Sequence, residues 1–406
     1  MVKKIAINSF ITCFSLIASI LLLEILLHVD VIYKLAKSIQ GIYHSNSSHS
    51  IPDNGDITSK VLDQFRLKFK SLEDFDDSIF KSEHEYTKTF EGSICCQYLD
   101  GISFAEPNQK SVEKYENLSI NKIIYEASYS TDFAGRRASP AQKEYKGLSN
   151  MIFIGGSFTF GQGVNDDETF PHFYSLLSKG PINFYNVSYF GYGINDILYH
   201  QETSAKENLF QGIDKSKETT VLYTFIENHA VRATVPLETY ISLSHRDHDE
   251  DVENWFQNLH EKPWYKSSGH NTSAYVGRFH DRHIINSLYG VLEKSKIVEV
   301  TKLSRFLFKY YDIPDYIKVL NSSYKKFEKD YKLKDFYLVI GGEVNDYYAQ
   351  IINHLDPNIK IIYTGHLDLE ILKLLKNNQT FPKDGHPTKY YYEILASIVF
   401  SRVNNQ

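Results

Sequence analysis

Cysteine is scarce, with three in 406 residues. Cys13 falls in an apolar N-terminal stretch, and a bridge between the neighbours Cys95 and Cys96 would be strained. No disulfide framework follows, so stability must come from a packed core. A low count is compatible with an oxidising compartment without establishing one. Basic residues are not in excess: 44 Lys+Arg stand against 50 Asp+Glu, for a net charge of -6. That balance offers no basic face for a nucleic acid. Tryptophan occurs twice, against 30 Tyr and 26 Phe. Such ring-rich composition suits sugar-binding surfaces and also follows from genome base content. Cofactor signatures are missing as well. The turn Gly155-Gly156-Ser157 lacks a Walker lysine, and Gly161-Gln162-Gly163 lacks the third glycine and acidic partner of a dinucleotide site. No cofactor is implied.

What is present is a globular chain, 42% hydrophobic and 23% charged. Its length suits one large domain with additions, or two domains. Residues 5–27 form an apolar run of about 23 residues, long enough to cross a bilayer as a helix. Lys3 and Lys4 precede it, which keeps the N-terminus cytoplasmic and puts the rest outside, periplasmic in a Gram-negative cell. No small-residue cleavage site follows, so residues 1–30 read as an uncleaved single-pass anchor.

Residues 31–120 read as a polar tether, 38–60, and a helical or irregular elaboration, 61–120. From 121 to 406 the pattern alternates. Strands are expected near 151–154, 183–187, 221–226, 336–340 and 359–363, and helices near 170–177, 197–209 and 390–399. Alternation of this kind implies an α/β fold: a mostly parallel central sheet covered on both faces, a three-layer α/β/α sandwich. About 100 residues separate the third and fourth strands, far more than an ordinary connection. Residues 235–330 are therefore expected to form an inserted cap.

Ligands of open α/β sheets bind beyond the carboxyl ends of the strands. Four clusters lie there. After the first strand, Ser157 follows two glycines on a tight turn, where its hydroxyl can sit exposed and attack a carbonyl. After the second come Gly191 and Gly193, whose N–H groups can face an oxyanion. After the third, Asn228 can supply an amide donor, with His229 and Arg232 beside it. Before the last helix, Asp384 and His386 can complete a triad, His as base and Asp fixing its tautomer.

Together these residues resemble the SGNH (GDSL-like) hydrolase and acyltransferase superfamily, in its membrane-anchored bacterial subgroup. The run from Gly155 to Val164, followed by Asp167-Glu168-Thr169-Phe170-Pro171, is similar to that subgroup's GDSxTxGxGV…D..TFP block, with Gly156 in place of the usual aspartate. The stretch from Ser128 to Arg137 is similar to its Y..D..G.R lead-in, and the anchor with a late glutamate, Glu24, also matches. The third block, Glu227-Asn228-His229, departs from the usual Gly-x-Asn-Asp. The resemblance implies catalytic Ser157, Asp384 and His386, and an oxyanion hole from Ser157, Asn228 and either Gly191 or Gly193, with Gly193 preferred. It implies a serine esterase or O-acyltransferase acting on an ester, an acylated envelope carbohydrate above all. The alternative is a non-catalytic glycan-binding or scaffold protein that keeps the fold.

Two His-x-x-His pairs, His245/His248 and His280/His283, have zinc-like spacing. Neither carries the glutamate of a metalloprotease motif, and the first sits in an acidic polar stretch, so both read as solvated loop with no metal expected.

Overall fold

Strand periodicity governs the first part of the folded chain. The computed structural model describes residues 84–92, 97–99, 102–104, 106–140, 146–202, 208–226, 313–341, 346–364 and 384–404, with separate positions within 63–72, at 229 and within 375–381. All belong to one compact unit, Ile51–Gln406. The expected anchor, the tether and most of the expected cap lie outside the described residues. Among the described residues no helix is long and apolar enough to cross a membrane.

Among the described residues five strands come before residue 131: β1 (Tyr86–Gly92), β2 (Gln97–Leu99), β3 (Ile102–Phe104), β4 (Lys110–Asn117) and β5 (Lys122–Ser130). Strands β1, β4 and β5 pair antiparallel in that order, while β2 and β3 pair with each other. Sheet replaces most of the helical or irregular elaboration expected for 61–120, while Asp63, Phe65, Arg66 and Lys68 are helical, and β5 carries the sheet past that boundary. The reason the pattern hides is on β4. Its inward positions alternate correctly but are Ser111, Glu113, Tyr115 and Asn117 rather than aliphatic residues. Tyr115 is held by rings on both sides, stacked on Tyr86 and tilted against Tyr125.

The main sheet is built from β6 (Ser149–Gly155), β7 (Ile182–Ser188), β8 (Glu218–Phe225), β9 (Lys332–Ile340) and β10 (Ile359–Tyr363). All pairings are parallel, in the order β10-β9-β8-β6-β7. Near-continuous apolar runs such as Met151-Ile152-Phe153-Ile154 are buried on both sides, as a parallel sheet demands. Helices α1 (Ser157–Phe160), α2 (Phe170–Leu177), α3 (Ile194–Glu202), α4 (Ile313–Asp330), α5 (Asp346–Ile352) and α6 (Lys389–Asn404) join and flank these strands.

Pleating assigns the two faces. Register places Phe153, Leu222 and Tyr337 side by side on one face. Phe153 meets Phe170 and Tyr174 of α2 edge-on at 5.3 and 5.4 Å. Phe336, one residue from Tyr337, points the other way and meets Tyr324 and Phe327 of α4. Helices thus cover both faces of a five-stranded parallel sheet, consistent with a three-layer sandwich. A side chain such as Phe153, with no solvent exposure, contributes about 1.5–3 kcal/mol by burial. Truncation to alanine would cost about 3–5 kcal/mol.

The five expected parallel strands all form. The helix expected at 197–209 starts earlier, at Ile194, and the chain at Asn208 to Phe210 is a turn closed by the Asn208 side chain on the Phe210 N–H. Helix α4 occupies the end of the stretch expected as cap. Tyr316, Leu320, Ser323, Tyr324 and Phe327 recur at helical spacing and are buried, so 313–330 belongs to the sandwich layer.

Candidate active site

The strand order reverses direction between β6 and β8, and the crevice beyond their carboxyl ends is where such sheets bind ligands. Ser157 is placed there by local geometry. Strand β6 ends at Gly155, whose φ of +155° and close approach to Thr159 leave no room for a side chain: an added Cβ would sit 2.2 Å from Thr159 Oγ1. Ser157 then opens α1, so its N–H has no partner within that helix. The short helix stops at Gly161, a left-handed residue whose N–H donates to the Ser157 carbonyl at 2.9 Å. Downstream, Thr169 caps α2 by accepting the His172 N–H, and Pro171 sits in its first turn.

Two buried side chains brace this turn. Asn186 of β7 donates to the Thr159 carbonyl at 3.1 Å. Arg137 donates to the carbonyls of Gly161 at 3.3 Å and Val164 at 2.8 Å, and to Asp166 at 2.6 Å. Its guanidinium also lies on the rings of Tyr129 and Phe160.

His386 arrives from the opposite end of the chain. The loop before α6 is folded on itself: the Phe381 N–H donates to the His386 carbonyl, and the Gly385 N–H to the Phe381 carbonyl, both at 2.9 Å. Gly385, at φ +76°, lets the chain turn between Asp384 and His386. His386 Nδ1 lies 3.0 Å from Asp384 Oδ2, and Nε2 lies 2.9 Å from Ser157 Oγ. A carboxylate only accepts, so Nδ1 carries the proton and Nε2 of the neutral ring accepts from the Ser157 hydroxyl. Phe158 packs against the imidazole at 5.5 Å. The sequence expectation that Ser157 is exposed is corrected: it retains 6% of its surface.

Sequence reasoning missed what lies behind Asp384. Lys88 of β1 forms an ion pair with Asp384 Oδ1. Its ammonium also stands 3.7 Å from Glu113 Oε1 and over the rings of Tyr115 and Tyr125. Glu113 has no solvent exposure. It accepts from the hydroxyls of Tyr125 and Tyr129 and from Gln162 Nε2, the latter at 2.9 Å. The Tyr129 hydroxyl in turn accepts the Gly163 N–H at 2.9 Å. A continuous polar chain thus runs from the loop after α1, through Glu113, to Asp384. Burial pushes the Asp384 carboxyl up, but hydrogen bonding and charge from His386, with Lys88, outweigh it and hold the group below its ordinary value. The phenols of Tyr125 and Tyr129 are pushed well up, by burial first and then by the Glu113 charge. A signal did exist: Glu113 alternates in step with Ser111 and Tyr115 on β4.

The remaining expected site residues divide. Gly193 has its N–H committed to Asp196 Oδ2 at 2.7 Å, where it supports the start of α3. That geometry takes away the donor the sequence assigned to it. Gly191 is exposed, with φ +73° and open space around the position of a side chain. Asn228, Arg232 and the four histidines at 245, 248, 280 and 283 lie outside the described residues. His229, the other polar candidate after β8, is fully buried, stacked on Tyr223 with its Nδ1 at 3.0 Å from that hydroxyl.

Compared with protein-family models and with curated proteins, the chain matches none.

Proposed function

We propose that the chain is a serine esterase or O-acyltransferase of the SGNH kind. The observation that carries this reading is the contiguous line Ser157 Oγ, His386 Nε2, His386 Nδ1 and Asp384, at 2.9 and 3.0 Å, at the switch point of a parallel sheet. Ser157 attacks the acyl carbon while His386 takes its proton, and Asp384 stabilises the imidazolium that forms. The negative charge on the former carbonyl oxygen is met by the N–H groups of Ser157 and Gly191, with Asn228 as the third donor. Collapse of that intermediate expels the alcohol, protonated by His386, and leaves an acyl-Ser157. Water or a second hydroxyl, activated by the same imidazole, then removes the acyl group. Acylated envelope carbohydrate is the substrate class that the sequence resemblance favours. In this reading residues 1–30 anchor the chain, with the catalytic part outside the cytoplasm.

The test uses the full-length chain with a fluorophosphonate and with p-nitrophenyl acetate. Mass spectrometry is expected to place the phosphonyl group on Ser157. Ser157→Ala is expected to lose both the adduct and the turnover. Equal ester turnover by parent and Ser157→Ala sinks the proposal.

The low exposure of Ser157 favours a second reading, an envelope scaffold that keeps the sandwich without turnover. Absence of any adduct on a folded parent, together with retention of acylated glycan on an affinity column, is the result that selects it.

A further inference from the structure

The antiparallel sheet contributes two charged side chains to the immediate surroundings of the triad. Asp384 is almost enclosed, with 4% of its side chain exposed, and Glu113 is enclosed completely. Both carboxyl groups are withdrawn from water and stand near the same ammonium. Lys88 lies between them, paired with Asp384 and 3.7 Å from Glu113. Tyr125 also spans the gap, its hydroxyl 2.9 Å from Glu113 Oε1 and 3.5 Å from Asp384 Oδ2. The groups facing Asp384 are therefore His386 on its own loop, Lys88 from β1, Tyr115 and Glu113 from β4, Tyr125 from β5, and Tyr392 from α6.

We propose that Lys88 is a positioning residue for the triad: it holds Asp384 as an oriented anion in the presence of Glu113, and so couples the antiparallel sheet to the chemistry of Ser157. The inference rests on the esterase reading. Asp384 Oδ2 faces His386 and Oδ1 faces Lys88, so both oxygens are engaged and the carboxylate is fixed in the orientation that receives Nδ1–H. Lys88 acts on the triad through Asp384, its ion-pair partner there. Glu113 has a matching part. Its bonds to Gln162 and, through Tyr129, to Gly163 tie the same charge cluster to the loop behind the nucleophile. Neutralising Lys88 leaves two adjacent buried carboxylates with no ammonium between them. Asp384 Oδ1 then has no partner to fix it, so the carboxylate is no longer held in the orientation that receives Nδ1–H and supports the imidazolium less well.

The experiment compares full-length parent, Lys88→Met, Lys88→Arg and Lys88→Met/Glu113→Gln as p-nitrophenyl acetate esterases, with pH profiles of kcat and thermal melts. Lys88→Met is expected to lose about 100-fold in kcat, short of the roughly 10⁴-fold that disabling a triad aspartate costs. KM should change little. Removing a nearby cation favours protonation, so the acidic limb of the profile should move up by about one pH unit. Lys88→Arg is expected to keep the limb where the parent has it. The double variant, which removes the opposing charge as well, should recover part of the rate. If the melt shows Lys88→Met unfolded, the double variant carries the test of rate and limb. A Lys88→Met enzyme with the parent's kcat and pH profile overturns the inference, as does a slower one with an unmoved acidic limb, which reports packing alone. Either result leaves the esterase reading standing if the parent is active and Ser157→Ala is not. A parent that neither hydrolyses the ester nor accepts the fluorophosphonate overturns both.

Discussion

His386 Nε2 lies 2.9 Å from Ser157 Oγ, although 229 residues separate the two in the chain. The serine is fixed by a glycine-bounded turn at the end of β6, the histidine by a loop closed on Phe381. Because the two act as one unit, their losses should not add. Ser157→Ala and His386→Ala are each expected to lower ester turnover by about 10⁴- to 10⁶-fold, and the double variant no further. Steady-state kinetics on all three decides it. A double variant slower than either by the product of the single effects contradicts a shared role.

Glycines 155 and 385 both have positive φ but differ in what surrounds them. A Cβ at 155 meets Thr159 Oγ1 at 2.2 Å, while one at 385 meets nothing within 4 Å. Gly155→Ala is expected to be largely unfolded or insoluble. Gly385→Ala should fold, with about 1–2 kcal/mol of backbone strain, and lose activity as Asp384 and His386 shift relative to each other. Melting curves and ester turnover on the two variants check both halves.

Arg137 is enclosed and donates to Asp166 and to backbone carbonyls around the Ser157 turn, those of Gly161 and Val164 among them. Arg137→Met leaves Asp166 and two carbonyls without these donors. A loss of about 3–5 kcal/mol is expected in urea unfolding. Arg137→Lys should recover little, because a single ammonium cannot fork among the same acceptors.

Acid should loosen the fold through the site itself. The Asp384 carboxyl titrates below its ordinary 3.8 in the folded chain, with burial opposing and His386 and Lys88 prevailing. Its contribution is therefore complete above the unfolded value and is lost as pH falls through the folded one. Glu168 moves the same way: burial opposes, while Lys389 and Asn165 hold it down. The urea midpoint should fall on acidification below about pH 4. Asp384→Asn should flatten that decline, and an unchanged slope in this variant would argue against the assignment.

The parallel sheet was legible because its strands are buried on both faces and therefore apolar without interruption, as in 151–154. The proximity of Ser157, Asp384 and His386 could be anticipated because glycine turns and an Asp-Gly-His run mark strand ends. The antiparallel sheet was not, since Glu113, Ser111 and Asn117 occupy the inward positions of β4 and mimic a solvated surface. Lys88 belongs to the same blind spot. Its role depends on a partner almost 300 residues away, and no local pattern carries that information. The bond that engages the Gly193 N–H was hidden for a smaller reason. Both are glycines after a strand, and what separates them is where the Asp196 side chain turns.

Strand β8 pairs with β6 on one edge and β9 on the other, and β9 begins only at Lys332, more than 100 residues after β8 ends at Phe225. At ribosomal speeds of about 5–20 residues per second, β8 waits roughly 5–20 seconds with one edge of backbone N–H and C=O groups unpaired. The imidazole is supplied later still. Growing chains therefore carry a sticky half-sheet before Ser157 meets its imidazole partner, which makes misassociation of that half-sheet the hazard of this topology during synthesis.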